Sequence, residues 1–99
     1  MSTLIPLSKL SGLFLKAFHE SGFVRDLPTH FDLYLCVHDQ KILGMVDLFS
    51  DKCGIFFGDN FDDLYKTSVS VWAKDLSEAK DIFDKRYLIS DSLFQEIDF

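Results

Sequence analysis

The sequence has few cysteines, no long apolar run and no excess of positive charge, and each of these absences excludes a class of protein. Two cysteines, Cys36 and Cys53, are too few for a disulfide framework. No apolar stretch approaches the roughly 20 residues that a membrane-spanning helix needs. The N-terminal residues Met-Ser-Thr-Leu-Ile-Pro lack the basic flank and small-residue cleavage site of a secretory leader. We therefore expect a cytoplasmic protein with two free thiols and no membrane partner.

Positive charge is scarcest in the second half of the chain. The sequence contains 10 Lys and Arg against 16 Asp and Glu, and its formal net charge is −6. Residues 51–99 hold six basic and eleven acidic residues, whereas residues 1–50 hold four and five. Such a surface repels phosphate backbones, which argues against direct nucleic-acid binding. It favours a basic protein partner, although acids that only keep the protein soluble explain the same composition.

Apolar residues are plentiful, and aromatic ones are especially so. Hydrophobic residues make up 47% of the 99 positions, and 11 of them are phenylalanine. Glycine and proline are few, with five and two respectively, and no low-complexity linker divides the chain. This length and composition predict a single acidic α+β domain over residues 1–99 with an aromatic core.

The spacing of the apolar residues predicts the element order α-β-β-β-β-α-α. The predicted elements are a helix over 7–21, strands over 31–38, 42–49, 55–57 and 67–73, a helix over 76–87 and a short last helix from Ser90. A loop over 24–30 and an acidic connector over 58–66, with one helical turn starting at Asn60, separate them. This order predicts a four-stranded antiparallel sheet with the helices on one face, around one common core.

The clearest of these predictions is the strand and helix on either side of Asp75. The apolar period changes there from two to about 3.6 residues. Val69, Val71 and Ala73 are predicted to share the buried side of the strand. Asp75 and Glu78 have the spacing of a capping box at the start of the helix.

No combination of residues predicts catalysis or a bound ion. Cys36 and His38 share one side of a predicted strand, but residues two apart lie about 6.5–7 Å apart along it, too far for easy direct hydrogen bonding. The acids after Gly58 lack the alternation, the central glycine and the distal glutamate of a calcium loop. The glycines are scattered and form no phosphate-binding loop. We therefore expect no enzyme activity, no metal and no cofactor.

Acidic and aromatic residues of the second half are the candidates for partner binding. Short acidic side chains complement the basic patch of another protein, and Tyr and Trp are frequent binding anchors. The predicted partner-binding residues are Asp59, Asp62, Asp63, Tyr65, Trp72, Asp81 and Asp84. The alternative is that the acids are only solvated and that a helix of the same chain covers Trp72.

Small size, acidity and the lack of a catalytic motif favour a protein-binding inhibitor. The expected target is a basic protein, such as a nuclease or a nucleic-acid-binding complex. By analogy of class, the inhibitor would be a toxin immunity protein or a phage-encoded anti-defence protein. The alternative is a structural or adaptor subunit of a larger complex, in which the aromatic residues form a permanent interface.

Overall fold

The protein is built around one five-stranded antiparallel sheet. The computed structural model describes residues 2–22 and 32–89. The strands follow one another across the sheet in chain order: β1 Thr3–Pro6, β2 Leu33–His38, β3 Lys41–Leu48, β4 Cys53–Phe57 and β5 Val71–Ala73. The helices are α1 Gly12–Glu20, α2 Phe61–Lys66 and α3 Leu76–Phe83. None of the helices in these residues is long and apolar enough to cross a membrane.

The antiparallel α+β fold is confirmed, but the prediction of four strands in the order α-β-β-β-β-α-α is wrong. The additional strand is β1, which pairs with β2 at one edge of the sheet. Leu4 and Ile5 point to opposite sides of the sheet and join different apolar clusters. Pro6 ends the strand, a position that an edge strand tolerates because proline has no N–H to donate.

Helix α1 begins later than the predicted start at residue 7. Residues Leu7–Lys9 form a 3-10 turn, and the α-helix starts at Gly12. Gly12 has a φ of 59°, which side-chain-bearing residues rarely adopt. The glycine therefore allows the chain to change direction between the 3-10 turn and α1, and it does not lie inside a continuous helix.

The helices cover both sides of the sheet, so the prediction of helices on one face around one core is wrong. On one side, here called the α1/α2 face, the buried residues are Leu10, Leu33, Leu35, Val37, Met45, Phe61 and Leu64. On the other, here called the α3 face, they are Cys36, Val46, Cys53, Ile55, Ala73, Ala79 and Phe83. Strand β2 contributes to both clusters because its side chains alternate between the faces.

Strand β5 is shorter and less buried than predicted. It contains three residues, and only Ala73 is fully buried. Val71 is 37% exposed and Val69 is half-buried. Both residues were expected in the core because they share the period of Ala73. Val69 precedes β5, and its Cγ2 atom lies 3.1 Å from the position of a Gly54 Cβ, on the side of Trp72. Val71 lies in the edge strand β5, with which no further strand of the described residues pairs.

The predicted cap of α3 is confirmed. The Asp75 carboxylate accepts the backbone N–H of Glu78 at 2.9 Å, and the Glu78 carboxylate accepts that of Lys74 at 3.1 Å. The helix is α-helical only to Phe83 and continues as a π-helical turn over Asp84–Ile89. The predicted loop over 24–30 and the predicted last helix from Ser90 lie outside the described residues.

Candidate partner-binding face

The two thiols are buried and far apart. Cys36 and Cys53 are both free, as predicted, and neither is exposed to solvent. They lie on β2 and β4, with β3 between them, so that two strand spacings of about 4.8 Å separate them across the sheet. Burial raises the pKa of Cys36 to about 11. A thiol with this pKa stays protonated at neutral pH and is a poor nucleophile.

His38 lies near a carboxylate of its own hairpin. Its Nε2 atom is 3.3 Å from the Asp39 carboxylate, which follows it in the β2–β3 turn. The register of β2 against β3 shifts between Cys36 and Val37, so an irregularity separates this histidine from the thiol. Among residues 2–22 and 32–89, no three His, Cys, Asp or Glu side chains are placed to hold a metal ion.

Helix α2 and the segment just before it carry three of the five predicted acidic residues, and two buried residues attach the helix to the sheet. Phe61 and Leu64 are buried in the α1/α2 face, and they fix the helix against the sheet. Asn60 is the N-cap, as the sequence predicts, and its side-chain oxygen accepts the N–H of Asp63 at 2.8 Å. The apolar side of this short helix is therefore used for packing, and its acidic side faces solvent.

The three acids around α2, which are Asp59, Asp62 and Asp63, differ in their hydrogen bonds. The Asn60 amide donates to the Asp59 carboxylate at 2.8 Å and to the Asp63 carboxylate at 2.9 Å. These two acids therefore orient the N-cap residue as well as contributing charge. Asp62 is exposed on the same helix, and Tyr65 is 43% exposed. Asp62 is consequently the acid whose replacement disturbs the cap of α2 least.

Trp72 lies on the same side of the sheet as α2, and no helix within residues 2–22 and 32–89 covers it. It pairs with Gly54 on β4, and its ring lies 3.4 Å from the position that a Cβ of Gly54 would occupy. Gly54 points to the same side as Phe56, which packs in the α1/α2 face. The opposite orientation of Trp72 and Ala73 is as predicted. The indole is 49% exposed, so a partner has access to it.

Two neighbours hold the Trp72 ring. The Phe49 ring lies at a centroid distance of 5.6 Å and an angle of 51°, and it is itself 44% exposed. The Lys52 ammonium lies 4.1 Å from the centre of the indole, within range of a cation–π contact. Phe49 and Lys52 were not predicted as site residues, because their contact with Trp72 depends on the β3–β4 turn folding back onto β5.

The other two predicted acids belong to the α3 face. Asp81 is exposed on α3, on the side of the sheet opposite α2. Asp84 is half-buried and accepts the backbone N–H of Ser2 at 2.8 Å. Burial works against its ionisation, but hydrogen bonding from Ser2 outweighs burial, and the pKa of Asp84 is lowered. The predicted set is therefore divided, with Asp59, Asp62, Asp63, Tyr65 and Trp72 together on one side.

An open groove on the α1/α2 face was not predicted. It has a volume of about 830 Å³ and lies between α1, the β2–β3 hairpin and the start of α2. Leu13, Phe14, Ala17, Ile42 and Phe61 provide its apolar lining, whereas the side chain of Leu43 packs on the α3 face. Among the described residues, Glu20, Asp59 and Asp62 add three carboxylates to the lining, and Lys41 adds one ammonium group. A local sequence signal for the groove is Leu13, an apolar residue that lies beside the buried stripe of α1. In the structure Leu13 is 66% exposed.

Comparisons of the chain with models of protein families, with curated proteins and with solved structures found no match. Function therefore has to be inferred from the residues themselves.

Proposed function

We propose that this protein is a stoichiometric inhibitor that binds a basic, nucleic-acid-handling protein and blocks its working surface. Toxin immunity proteins and phage-encoded anti-defence proteins are the kinds of inhibitor that fit this description. The observation that carries the proposal is the α1/α2 groove, in which an apolar lining and three carboxylates are combined. A basic protein segment with apolar side chains is complementary to both parts of this lining.

Charge also supports a target that handles nucleic acid. Such proteins expose Lys and Arg where they contact phosphates. A protein of net charge −6 is attracted to that same surface and competes with nucleic acid for it. Inhibition then needs no catalytic group on this chain, because occupation of the target's basic surface is sufficient.

The exposed apolar side chains favour a second function, that of an adaptor subunit in a larger complex. Trp72 and Phe49 form an aromatic pair that is about half exposed, and Leu13 is more exposed still. Permanent interfaces bury apolar side chains of this size in their centres. An adaptor of this kind would hold its partner at high salt and leave the partner's activity intact.

Inhibition at one equivalent tests the proposal. The protein captured from a native lysate is purified, and its cleavage or binding of nucleic acid is measured during titration with this chain. We expect activity to be lost at one equivalent. Asp62→Lys should need at least ~10-fold more protein, and the matched control Asp81→Lys, which changes the charge equally on the α3 face, should behave as the wild type.

A captured protein that keeps full activity when saturated with this chain would contradict inhibition and favour the adaptor function. Equal effects of Asp62→Lys and Asp81→Lys would show that only the net charge matters and would contradict binding through the α1/α2 face.

A further inference from the structure

Helix α1 presents one helical stripe to the groove. Its lining residues are Leu13, Phe14, Ala17, Glu20 and Ser21, which follow one another at intervals of one, three, three and one. This is the spacing of a single side of an α-helix. Phe14 and Ala17 also pack on the α1/α2 core, whereas Leu13 is 66% exposed. One part of this side of α1 therefore packs on the sheet, and the other part borders the open groove.

The described lining of the groove offers apolar and acidic side chains but no open sheet edge. Two of its walls are helices, α1 and the start of α2, and a helix offers no sheet edge to which a strand could be added. Its floor at Ile42 and Leu43 belongs to β3, where Ile42 pairs with Val37 of β2 and the Leu43 carbonyl accepts the N–H of Gly58 at 3.3 Å. An extended segment that adds to a sheet needs unpaired N–H and C=O groups. A helix needs only a groove lined by apolar side chains.

We infer that this groove receives an amphipathic helix of the basic partner, with apolar side chains against Leu13 and Ile42 and Lys or Arg side chains near Asp59 and Asp62. The inference rests on the proposed function and specifies the element of the partner that is bound. The acids come from the end of α1 and the start of α2, whereas Lys41 comes from the hairpin. The partner's basic side chains therefore belong on the helical side of the groove.

Selection of peptides from a random displayed library tests this inference. The folded full-length chain is the bait, and enriched peptides are synthesised and their affinities measured. We expect apolar residues at helical spacing together with Lys or Arg, and a gain of helical circular dichroism on binding. Leu13→Gln should weaken the binding of these peptides at least ~10-fold, because Leu13 lines the groove.

The matched control is Leu15→Gln, which makes the same change at another exposed leucine of α1 that does not line the groove. It should change the affinity less than ~2-fold. Equal losses in the two variants, peptides that bind in an extended form, or no enriched peptide at all would overturn the inference.

Different experimental results would contradict the helix-binding inference and the proposed inhibitor function. If the captured partner is inhibited and its binding depends on Asp62 but not on Leu13, the helix in the groove is wrong and the inhibitor stands. If no basic protein is inhibited while selected peptides still depend on Leu13, the groove binds helices but the inhibitor proposal is wrong.

Discussion

Gly44 allows α3 to approach the sheet. A Cβ at this position of β3 would overlap the Phe56 carbonyl oxygen and lie 2.6 Å from Cε1 of Phe83. Phe83 is completely buried and is the largest of the fully buried side chains among the described residues. Its ring fills the space that any larger residue at position 44 would need.

Gly44→Ala should therefore lower the free energy of unfolding by about 3 kcal/mol, because neither the backbone of β4 nor the buried ring has room to move. Denaturant unfolding measures the change. Gly22→Ala is the control, since nothing lies within 4 Å of a Cβ there, and it should have little effect. Similar losses at both glycines would contradict this close packing.

Trp72 is the side chain most suited to anchor a partner, because it is half exposed and already oriented by Phe49 and Lys52. Trp72→Ala should raise the dissociation rate of the complex by an amount worth about 2 kcal/mol or more. The matched control is Val71→Ala, which removes an exposed apolar group of the same strand on the α3 face. Surface plasmon resonance measures the dissociation rates of both variants. Equal dissociation rates for Trp72→Ala and Val71→Ala would show that Trp72 does not anchor the partner.

At the scale of elements, the hydrogen bond between Ser2 and Asp84 links the segment before β1 to the turn after α3. The pKa of Asp84 is lower in the folded protein than its ordinary value of 3.8, so folding favours the ionised form. Its contribution to stability is therefore complete well above pH 4. It is lost as the pH falls through the lower pKa of the folded state.

Asp84→Asn should lower the free energy of unfolding by about 1 kcal/mol at pH 7, because the amide still accepts the Ser2 N–H but carries no charge. The difference from the wild type should close as the pH falls below ~4. Thermal unfolding between pH 2.5 and pH 7 measures it, with Asp81→Asn on the exposed side of α3 as control. A difference that stays constant with pH would show that the charge of Asp84 plays no part.

The sequence predicts local structure well where a cap or a strict alternation is present. Asp75 and Asn60 mark the starts of α3 and α2 correctly, because each is an N-cap whose effect depends on only three residues. Strand β1 is missed because its four residues are apolar only in part and become a strand by pairing with β2. Local spacing alone contains no information about that pairing.

The sequence contains a pattern that indicates helices on both faces of the sheet, and the predicted fold did not take this pattern into account. Residues Leu33–Val37 are apolar at every position, and a strand with both sides buried is expected to have this pattern. The groove has only a weak signal of this kind. The groove arises from the distance between α1, the β2–β3 hairpin and α2, which no local pattern determines. Its acids Asp59 and Asp62 were nevertheless among the predicted partner-binding residues.

At the scale of the whole molecule, the two faces of the sheet differ in how open they are and in what their acidic residues contact. The α3 face has the fully buried thiols and Phe83 and the capped helix, and its acids Asp75, Glu78 and Asp84 make structural hydrogen bonds. The α1/α2 face has the open groove, the acids of α2 and the exposed Trp72. We therefore propose that a partner binds to the α1/α2 face.

The salt dependence of the association rate tests this assignment most directly. Stopped-flow measurements compare the wild type, Asp62→Lys and Asp81→Lys between ~0.05 M and ~0.2 M salt. The wild-type rate should fall by about tenfold over this range, because charge attraction steers the encounter and salt screens it. Asp62→Lys should associate slowly with a shallow salt dependence, and Asp81→Lys should stay close to the wild type. A rate that is independent of salt and equal in all three proteins would contradict an acidic binding face and leave the adaptor subunit as the function.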